Sequence, residues 1–599
     1  MSTGGRRDQD SFRFSLFALF LLSVSACALA VAVWIEATGG IRHDVAGVSL
    51  SIRNSFRPAL FACVCALIGT AMVIRRRSDV DRATRFVSPL LGVTVWVAAG
   101  TVFALGVVFG MRAIGGSDSY GYVSQAQLWL RGNLQVPLNL AAAVPWPDAD
   151  WTFTPLGYRP AAEHTLVPTY PPGLPLLIAL FQTLFGASGP FMLVPLCSAL
   201  LVLATDRLGT IIGGRAVGAM AALCVAASPT ALFMTLWIMS DVPAALCIVA
   251  GLWLACRRSP AASGVVTGIG IMIRPNLAPL ALFPAAILLW QSAGPSFGAR
   301  LRSNASFAFG CLPFVLVPAW TNYLLYGSPL TSGYGSVTGL YAWAHLPVNL
   351  ARYPTWLEET QSPAVFVFLL APFVLGRRQG QEWPVVGILA AFAAAVLALY
   401  AWYLPFESWW YLRFLLPALP IVFVIGSLVV WRLGARLQPS TRAAVAACFT
   451  CWMMLYGIDA SRRRGVFTLR HAEQKYADVG RYISGALPAN AVVIAMQHSG
   501  SIRLYSGREI LRYDYLSPDW LDRALAHFAS RGSPVYLVLE DWEVPIFRNH
   551  FASQQSATLV DRTPLAVDPS HVVRLYATER RDLPLTPVVM PATSGYALR

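Results

Sequence analysis

Long apolar runs, most of them flanked by arginine, dominate this chain and leave few folds open to it. A helical membrane crossing takes roughly 20 predominantly apolar residues. The chain has 599 residues, 56 % of them hydrophobic, and its 13 % charged residues are about half the share expected of a soluble globular protein. A water-soluble enzyme is thereby excluded. Runs at 12–34, 58–74, 87–110, 190–206, 215–235, 242–256, 262–273, 276–291, 305–325, 363–376, 384–404, 413–431 and 442–458 supply about thirteen crossings. The expected fold is an all-α polytopic membrane bundle with a small α/β domain at its C-terminal end.

The formal net charge of +15 does not point to nucleic acid, because Lys475 is the only lysine and much of the arginine flanks apolar runs. That pattern reports topology, since cytoplasmic loops hold the excess of positive charge. One stretch, Pro172 to Ala187, is apolar but carries Gly173 and Pro175. Leaving it out as a re-entrant or interfacial helix places Arg75 to Arg77, Arg207, Arg215, Arg257, Arg258, Arg300, Arg302, Arg377, Arg378, Arg432, Arg436 and Arg442 all on the cytoplasmic side. The N-terminus is then cytoplasmic, and the polar tail from about 459 is extracytoplasmic. The run 12–34 is too long for a signal-peptide apolar region and reads as a retained first helix. The ten cysteines lie within or at the edges of apolar runs and offer neither a disulfide framework nor metal-ligand spacing.

Three parts follow: two extra N-terminal helices in 1–86, a membrane module in 87–460 with long outer loops at 111–189 and 326–362, and an extracytoplasmic domain in 461–599. The short runs 262–273 and 276–291 meet at Arg274-Pro275 and read as a tight hairpin presenting Arg274 outward. In the tail, Ala491 to Met496, Glu509 to Tyr513, Val535 to Leu539 and Val572 to Ala577 read as strands, with helices near 518–531 and 543–553. There is no Gly-rich phosphate loop.

The polar residues that could carry chemistry converge on the outer boundary. Asp118 lies just past the third run, with Tyr122 on the helical face behind it, and Asp241 opens the run at 242. Each follows a serine before an apolar stretch, so helix capping is the alternative for both. Asp118, Asp241, Glu163, His164, Tyr170, Arg274, Tyr411 and Arg413 all map to one side, whereas structural caps belong at both faces. Arg274 and Arg413 suit a phosphate or diphosphate held by charge-assisted hydrogen bonds, with snorkelling and a hairpin cap as alternatives. Asp118 suits proton abstraction from an acceptor hydroxyl. His164 beside Glu163 is either a base or a hydrogen-bonded loop residue, and the Trp409-Trp410-Tyr411 run is an aromatic belt or a stacking surface.

At these residues the chain resembles the glycosyltransferase C superfamily of membrane enzymes that use polyprenyl-phosphate sugars, such as protein O-mannosyltransferases and aminoarabinose transferases. Asp118-Ser119-Tyr120 with Tyr122, Tyr170-Pro171-Pro172-Gly173, Ser240-Asp241-Val242-Pro243, Gly270 to Pro275 and Arg413 to Pro420 match its motifs in order, across about residues 87–460. The resemblance implies a helical bundle whose first outer loop forms juxtamembrane helices over a cavity. It implies an inverting transfer from a polyprenyl-phosphate sugar to an extracytoplasmic lipid, glycan or protein acceptor in a bacterial inner membrane. Asp118 would be the base, Asp241 a second acidic residue of the site, and Arg274 and Arg413 the ligands of the donor phosphate. Ser119 stands where many relatives carry a second acid, which leaves a divalent metal without support. The alternatives are a secondary transporter, which calls for charges near the bilayer midplane and repeat symmetry, and a non-catalytic envelope scaffold.

Overall fold

The computed structural model describes residues 77–291, 296–335, 339–375, 383–579 and 586–592, with side chains from 88 onward, and a few N-terminal positions that include the antiparallel strands β1 (Ile41–Val45) and β2 (Val48–Ile52). The crossings expected at 12–34 and 58–74 lie outside the described residues. The bundle comprises α1 (Arg77–Phe109), α2 (Asp118–Leu130), α3 (Gly173–Phe185), α4 (Gly189–Gly213), α5 (Arg215–Ala227), α6 (Pro229–Thr235), α7 (Asp241–Cys256), α8 (Pro260–Ile273), α9 (Leu282–Gln291), α10 (Phe297–Tyr326), α11 (His345–Gln361), α12 (Trp383–Ala401), α13 (Leu419–Leu433) and α14 (Pro439–Arg463).

Among the described residues, six helical stretches are long and apolar enough to cross a membrane: Ser88–Phe109, Gly173–Gly213, Phe297–Tyr326, Pro384–Ala401, Leu419–Arg436 and Pro439–Arg463. This is a multi-pass membrane protein. A seventh crossing would be the pair α5 and α6, bent by 60° where Ser228 leaves the helix and Pro229 brings no N–H. Four of the expected crossings, Asp241–Cys256, Pro260–Ile273, Pro275–Gln291 and Pro363–Leu375, are apolar helical stretches of only 10–17 residues. Helices of spanning length among the described residues thus fall short of thirteen, and apolar stretches as short as these four also occur as helices buried in a bundle. The run expected at 413–431 also starts later. Trp409–Leu415 is a 3-10 turn, and α13 begins at Leu419, beyond Pro417.

Helix α3, about 20 Å long at 1.5 Å per residue, covers most of the stretch left out of the topology. Gly186, at φ +61°, ends it, and a Cβ on Gly189 would lie 2.1 Å from the Phe181 carbonyl oxygen. Eight residues of straight helix would separate those positions by about 12 Å, so the chain turns sharply between α3 and α4.

Small residues let the central helices close on one another. A Cβ on Gly264 would lie 2.0 Å from the Phe307 carbonyl oxygen, and one on Gly268 2.8 Å from that of Cys311, so α8 and α10 meet backbone to backbone. At the other end of α8, a Cβ on Gly173 would come within 2.4 Å of the Ile273 nitrogen, which seats the start of α3 directly against Arg274. The long loop between α1 and α4 adds a three-stranded antiparallel sheet, β3 (Val136–Pro137), β5 (Thr165–Pro168) and β4 (Tyr158–Ala161), in that order.

The tail folds as expected into an α/β domain, with two more strands than the sequence reading found. Its sheet has the order β11 (Val588–Val589), β9 (Ala566–Val567), β10 (Val573–Ala577), β8 (Val535–Glu540), β6 (Val492–Ile494) and β7 (Glu509–Leu511). All six residues of β8 are buried, as in a strand covered on both faces. On one face Tyr536 and Val538 pack with Val479 and Ile483 of α15 (Leu469–Ala486) and Ile502 of α16 (Ser499–Ser506). On the other, Leu537 and Leu539 belong to a cluster with Phe528 of α17 (Leu521–Ser530) and Phe547 of α18 (Glu543–His550). Beta-strands 9 and 11, at two residues each, were too short to leave an alternating pattern.

At the end of β8, Glu540 accepts hydrogen bonds from Lys475 Nζ at 2.8 Å and Trp542 Nε1 at 3.0 Å, and pairs with His498 Nε2 at 3.2 Å. Burial alone would raise its carboxyl, but the hydrogen bond and charge of His498, and then the Lys475 ammonium, outweigh it and bring it from 4.5 to about 2. A depressed native value stabilises the fold above the unfolded value and is lost as the pH falls through the native one. The thermal midpoint of the wild type should therefore drop more steeply between pH 5 and pH 2 than that of Glu540→Gln; equal slopes would contradict this pairing. Gly173→Ala should cost about 1–3 kcal/mol through overpacking against the Ile273 backbone, read as a lower unfolding midpoint in detergent.

Candidate active site

Asp118 is the first residue of α2, but its carboxylate does not cap the helix. Ser117 before it has helical angles and makes no side-chain cap bond. Instead Asp118 Oδ1 accepts from the Tyr170 hydroxyl at 2.7 Å, and Oδ2 accepts from Arg413 Nη1 at 3.2 Å, across 295 residues of sequence. The close crossing of two glycines allows this. A Cβ on Gly157, which has φ +87°, would lie 2.8 Å from Gly121 Cα, and one on Gly121 would enter the Tyr170 ring. The ring thus lies flat along the start of α2 with its hydroxyl at Asp118, and Ser117 Oγ sits 2.8 Å from the same hydroxyl. Burial, and then the negative charge of Asp118, hold the Tyr170 phenol well above its ordinary range, so it stays a donor.

Asp241 is the first residue of α7, where the positive end of the helix dipole favours a carboxylate. Helices α7 and α8 run down and back over about 24 and 21 Å, so the end of α8 returns to the start of α7. There Arg274 Nη1 donates to Asp241 Oδ1 at 2.8 Å. Gly251, whose Cβ would meet Thr267 Oγ1 at 2.3 Å, lets the two helices lie that close. After Arg274 the chain continues as a 3-10 turn over Pro275–Ala281 that leads into α9.

The two ion pairs are neighbours. The Phe414 ring lies 5.3 Å from the Arg413 guanidinium and 5.8 Å from that of Arg274. Tyr122 donates to Ser240 Oγ at 3.1 Å and packs on Tyr170 with ring centroids 4.4 Å apart. Arg413 also interacts electrostatically with Asp241 and Arg274. Side-chain exposure ranks the four charges: Asp241 is 2 % exposed, Arg274 and Arg413 14 % each, and Asp118 27 %. Asp118 is thus the group most open to an arriving molecule, and Asp241 the one sealed behind it.

The structure therefore brings together Asp118, Asp241, Tyr122, Tyr170, Arg274 and Arg413. Tyr411 flanks them: it stacks on Phe406 at 3.8 Å, and the Arg413 guanidinium lies 5.3 Å from its ring. Glu163 and His164 are not part of the group. They form the exposed tip of the β4–β5 hairpin at φ +56° and +51°, and His164 Nδ1 faces Asp150 at 2.7 Å. Tyr334, which the sequence reading passed over, reaches the site from the loop after α10, in edge contact with Tyr170 at 5.9 Å. The signal available was its place between Gly333 and Gly335. A Cβ on Gly333 would lie 2.1 Å from the Thr169 carbonyl oxygen, so only a glycine lets that loop close on the first one.

The donor set does not fit a divalent cation. Ser119 Oγ is buried against Met111 Sδ and Ile238 O, each carboxylate faces a guanidinium, and no three His, Cys, Asp or Glu side chains among the described residues gather to hold a metal.

Neither a family model nor a curated protein matches the chain. Among solved structures, ArnT from Cupriavidus metallidurans bound to undecaprenyl phosphate matches with a TM-score of 0.50 at 14 % identity, covering 81 % of this chain and 98 % of that one. The likeness is one of fold, shared with ArnT along most of both chains. The apo form of the same ArnT matches with a TM-score of 0.45 at 14 % identity, over 81 % of this chain and 98 % of that one. The archaeal oligosaccharyltransferase AglB from Archaeoglobus fulgidus, in complex with an inhibitory peptide and a dolichol-phosphate, matches at 0.47 with 11 % identity, over 82 % of this chain and 75 % of that one. Within the ArnT-like fold of this chain, the ion pairs stand where the first long loop meets the helix ends.

Unequal burial of the two pairs has a measurable consequence. Arg274→Gln leaves the Asp241 charge sealed and unpaired, which costs about 3–5 kcal/mol. Arg413→Gln leaves Asp118 partly solvated and still bonded to Tyr170, and should cost clearly less in thermal unfolding in detergent. Equal losses would contradict this ranking.

Proposed function

We propose that the protein is an inverting membrane glycosyltransferase that moves a sugar from a polyprenyl-phosphate donor to an extracytoplasmic acceptor, an envelope lipid, glycan or protein. In this reading the membrane is a bacterial inner membrane, with the N-terminus cytoplasmic and the tail domain extracytoplasmic. The observation that carries the reading is the contact between Asp118 and Arg413. A proton acceptor and an anion-binding group, distant in sequence, meet at a partly open position with a second carboxylate–guanidinium pair behind them. Likeness in fold to ArnT, whose solved structure holds undecaprenyl phosphate, supports a lipid phosphate as the carrier.

In the proposed step the acceptor oxygen attacks C1 of the sugar from the face opposite the phosphate. The new C–O bond forms as the C1–O bond to phosphate breaks. The acceptor proton passes to Asp118, and the phosphate leaves as an anion beside Arg413, with the field of Arg274 behind it. Tyr170 stays bonded to Oδ1 and orients the carboxylate, leaving Oδ2 to take the proton. In the empty site Oδ2 accepts the hydrogen bond from Arg413, which occupies the position an acceptor hydroxyl would take. An anionic donor draws Arg413 toward its phosphate, so Asp118 becomes a competent base only when there is something to transfer.

The test is consumption of a panel of polyprenyl-phosphate sugars by the purified protein. Turnover of at least one donor is expected, falling at least about 100-fold in Asp118→Asn. Turnover equal in both proteins removes Asp118 as the base. Absence of turnover with every donor in the wild type favours the scaffold or transport alternatives.

A further inference from the structure

The tail domain packs on the polypeptide that carries Asp118, and its contacts there are specific. The Ile114 N–H, on a residue with no exposed surface, donates to the Tyr505 hydroxyl at 2.7 Å. Ala113 and Ala477 are both fully buried in one small cluster beside Tyr505. The Tyr476 ring lies on Gly115 so closely that a Cβ there would be 2.0 Å from Tyr476 Cγ. Gly500 takes the Tyr120 ring in the same way, a Cβ there falling 2.4 Å from Tyr120 Cδ1. Ser499 Oγ accepts from the Leu156 N–H at 3.1 Å, next to Gly157, and the Arg512 N–H donates to the Thr152 carbonyl at 2.6 Å. Residues 113–120 and 152–157 are thus held by atoms of α15, α16 and the strand–helix connections.

The holding residues are themselves fixed. Gln497 Nε2 donates to the Tyr476 hydroxyl at 2.7 Å, and the buried His498 ring packs on the Tyr476 ring at 4.6 Å. His498 in turn is tied through Glu540 to Lys475, one residue before Tyr476. Glu543 accepts from the Gln497 N–H at 3.2 Å and from the Glu540 N–H at 2.9 Å. Such a network defines one arrangement of the Tyr476 side chain, because each buried polar group would lose its partner in another.

We propose that the tail domain is a positioning element for the transfer: through Tyr476 and Tyr505 it fixes the backbone at Ile114 and Gly115, through Ser499 it fixes Leu156 beside the Gly157–Gly121 crossing, and it thereby aims the Asp118 carboxylate. The inference rests on the glycosyltransferase reading. It assigns the domain a part in the chemical step and asks for no acceptor contact. Misplacing a reacting group by about 1 Å can cost two orders of magnitude in rate, so small losses at this seam reach the chemistry.

The experiment compares the full-length wild type with Tyr505→Phe, which removes the acceptor of the Ile114 N–H, and with Ser499→Ala, which removes that of Leu156. Arg548→Ala, at a half-exposed surface pair with Asp561, is the control. For each protein, kcat, the donor KM and the affinity for a polyprenyl phosphate by titration calorimetry are measured. Tyr505→Phe should lower kcat about tenfold or more and Ser499→Ala severalfold, with KM and lipid-phosphate affinity within about twofold of wild type. An unchanged kcat in both variants overturns the proposal. So does a joint fall of kcat and lipid-phosphate affinity, since the domain would then be holding the bundle together. A wild type and control inactive with every donor would instead sink the glycosyltransferase reading, and this inference with it.

Discussion

Four charges of alternating sign, gathered at the end of a helical bundle, set the terms for the rest of this structure. Taking a carboxylate and a guanidinium out of water is costly unless each finds the other with good geometry. That demand is met by segments far apart in the chain. The α7–α8 hairpin supplies Asp241 and Arg274, the first long loop supplies Asp118, and the 3-10 turn at Trp409–Leu415 supplies Arg413. The Phe414 ring lies near both guanidiniums and contributes some cation–π attraction. The glycines at 121, 157, 173 and 251 are the sequence-level condition for this meeting. Each stands where a side chain would push apart two backbones, or a backbone and a neighbouring side chain, that the ion pairs require to touch.

The four charged positions were legible in the sequence because each marks the end of an apolar run on the side that arginine placement leaves poor in positive charge. The same reasoning admitted Glu163 and His164, which have the right chemistry and sit on the right loop. It could not know that a hairpin would carry them to its tip. Crossing count was the weakest reading, for a related reason. Hydropathy sees that Asp241–Cys256 and Pro260–Ile273 are apolar, but not that these helices are only 16 and 14 residues long.

The seam between tail and first loop left almost no trace in the sequence. Its anchor, the bond from the Ile114 N–H to Tyr505, spans 391 residues. Its other contacts include backbone bonds at Leu156 and Thr152 and ring-on-glycine packings at Gly115 and Gly500, none of which carries a motif. What can be read locally is the tail's own fold, since the buried strand β8 and the helices on both sides of the sheet follow from periodicity and turn chemistry. The surface that such a domain turns toward its neighbour is decided by complementarity, which a single chain does not display residue by residue.

Electrical balance in the empty site bears on how a catalytic cycle would end. Two carboxylates and two guanidiniums sum to zero. Under the proposed reaction, the proton that Asp118 accepts cancels its charge just as the spent carrier gains one. At that instant Arg413 has lost its internal partner and is wholly committed to the lipid phosphate, so the carrier is gripped hardest immediately after the sugar departs. Its escape then waits on Asp118 giving its proton to water, which restores the internal competitor and loosens the hold.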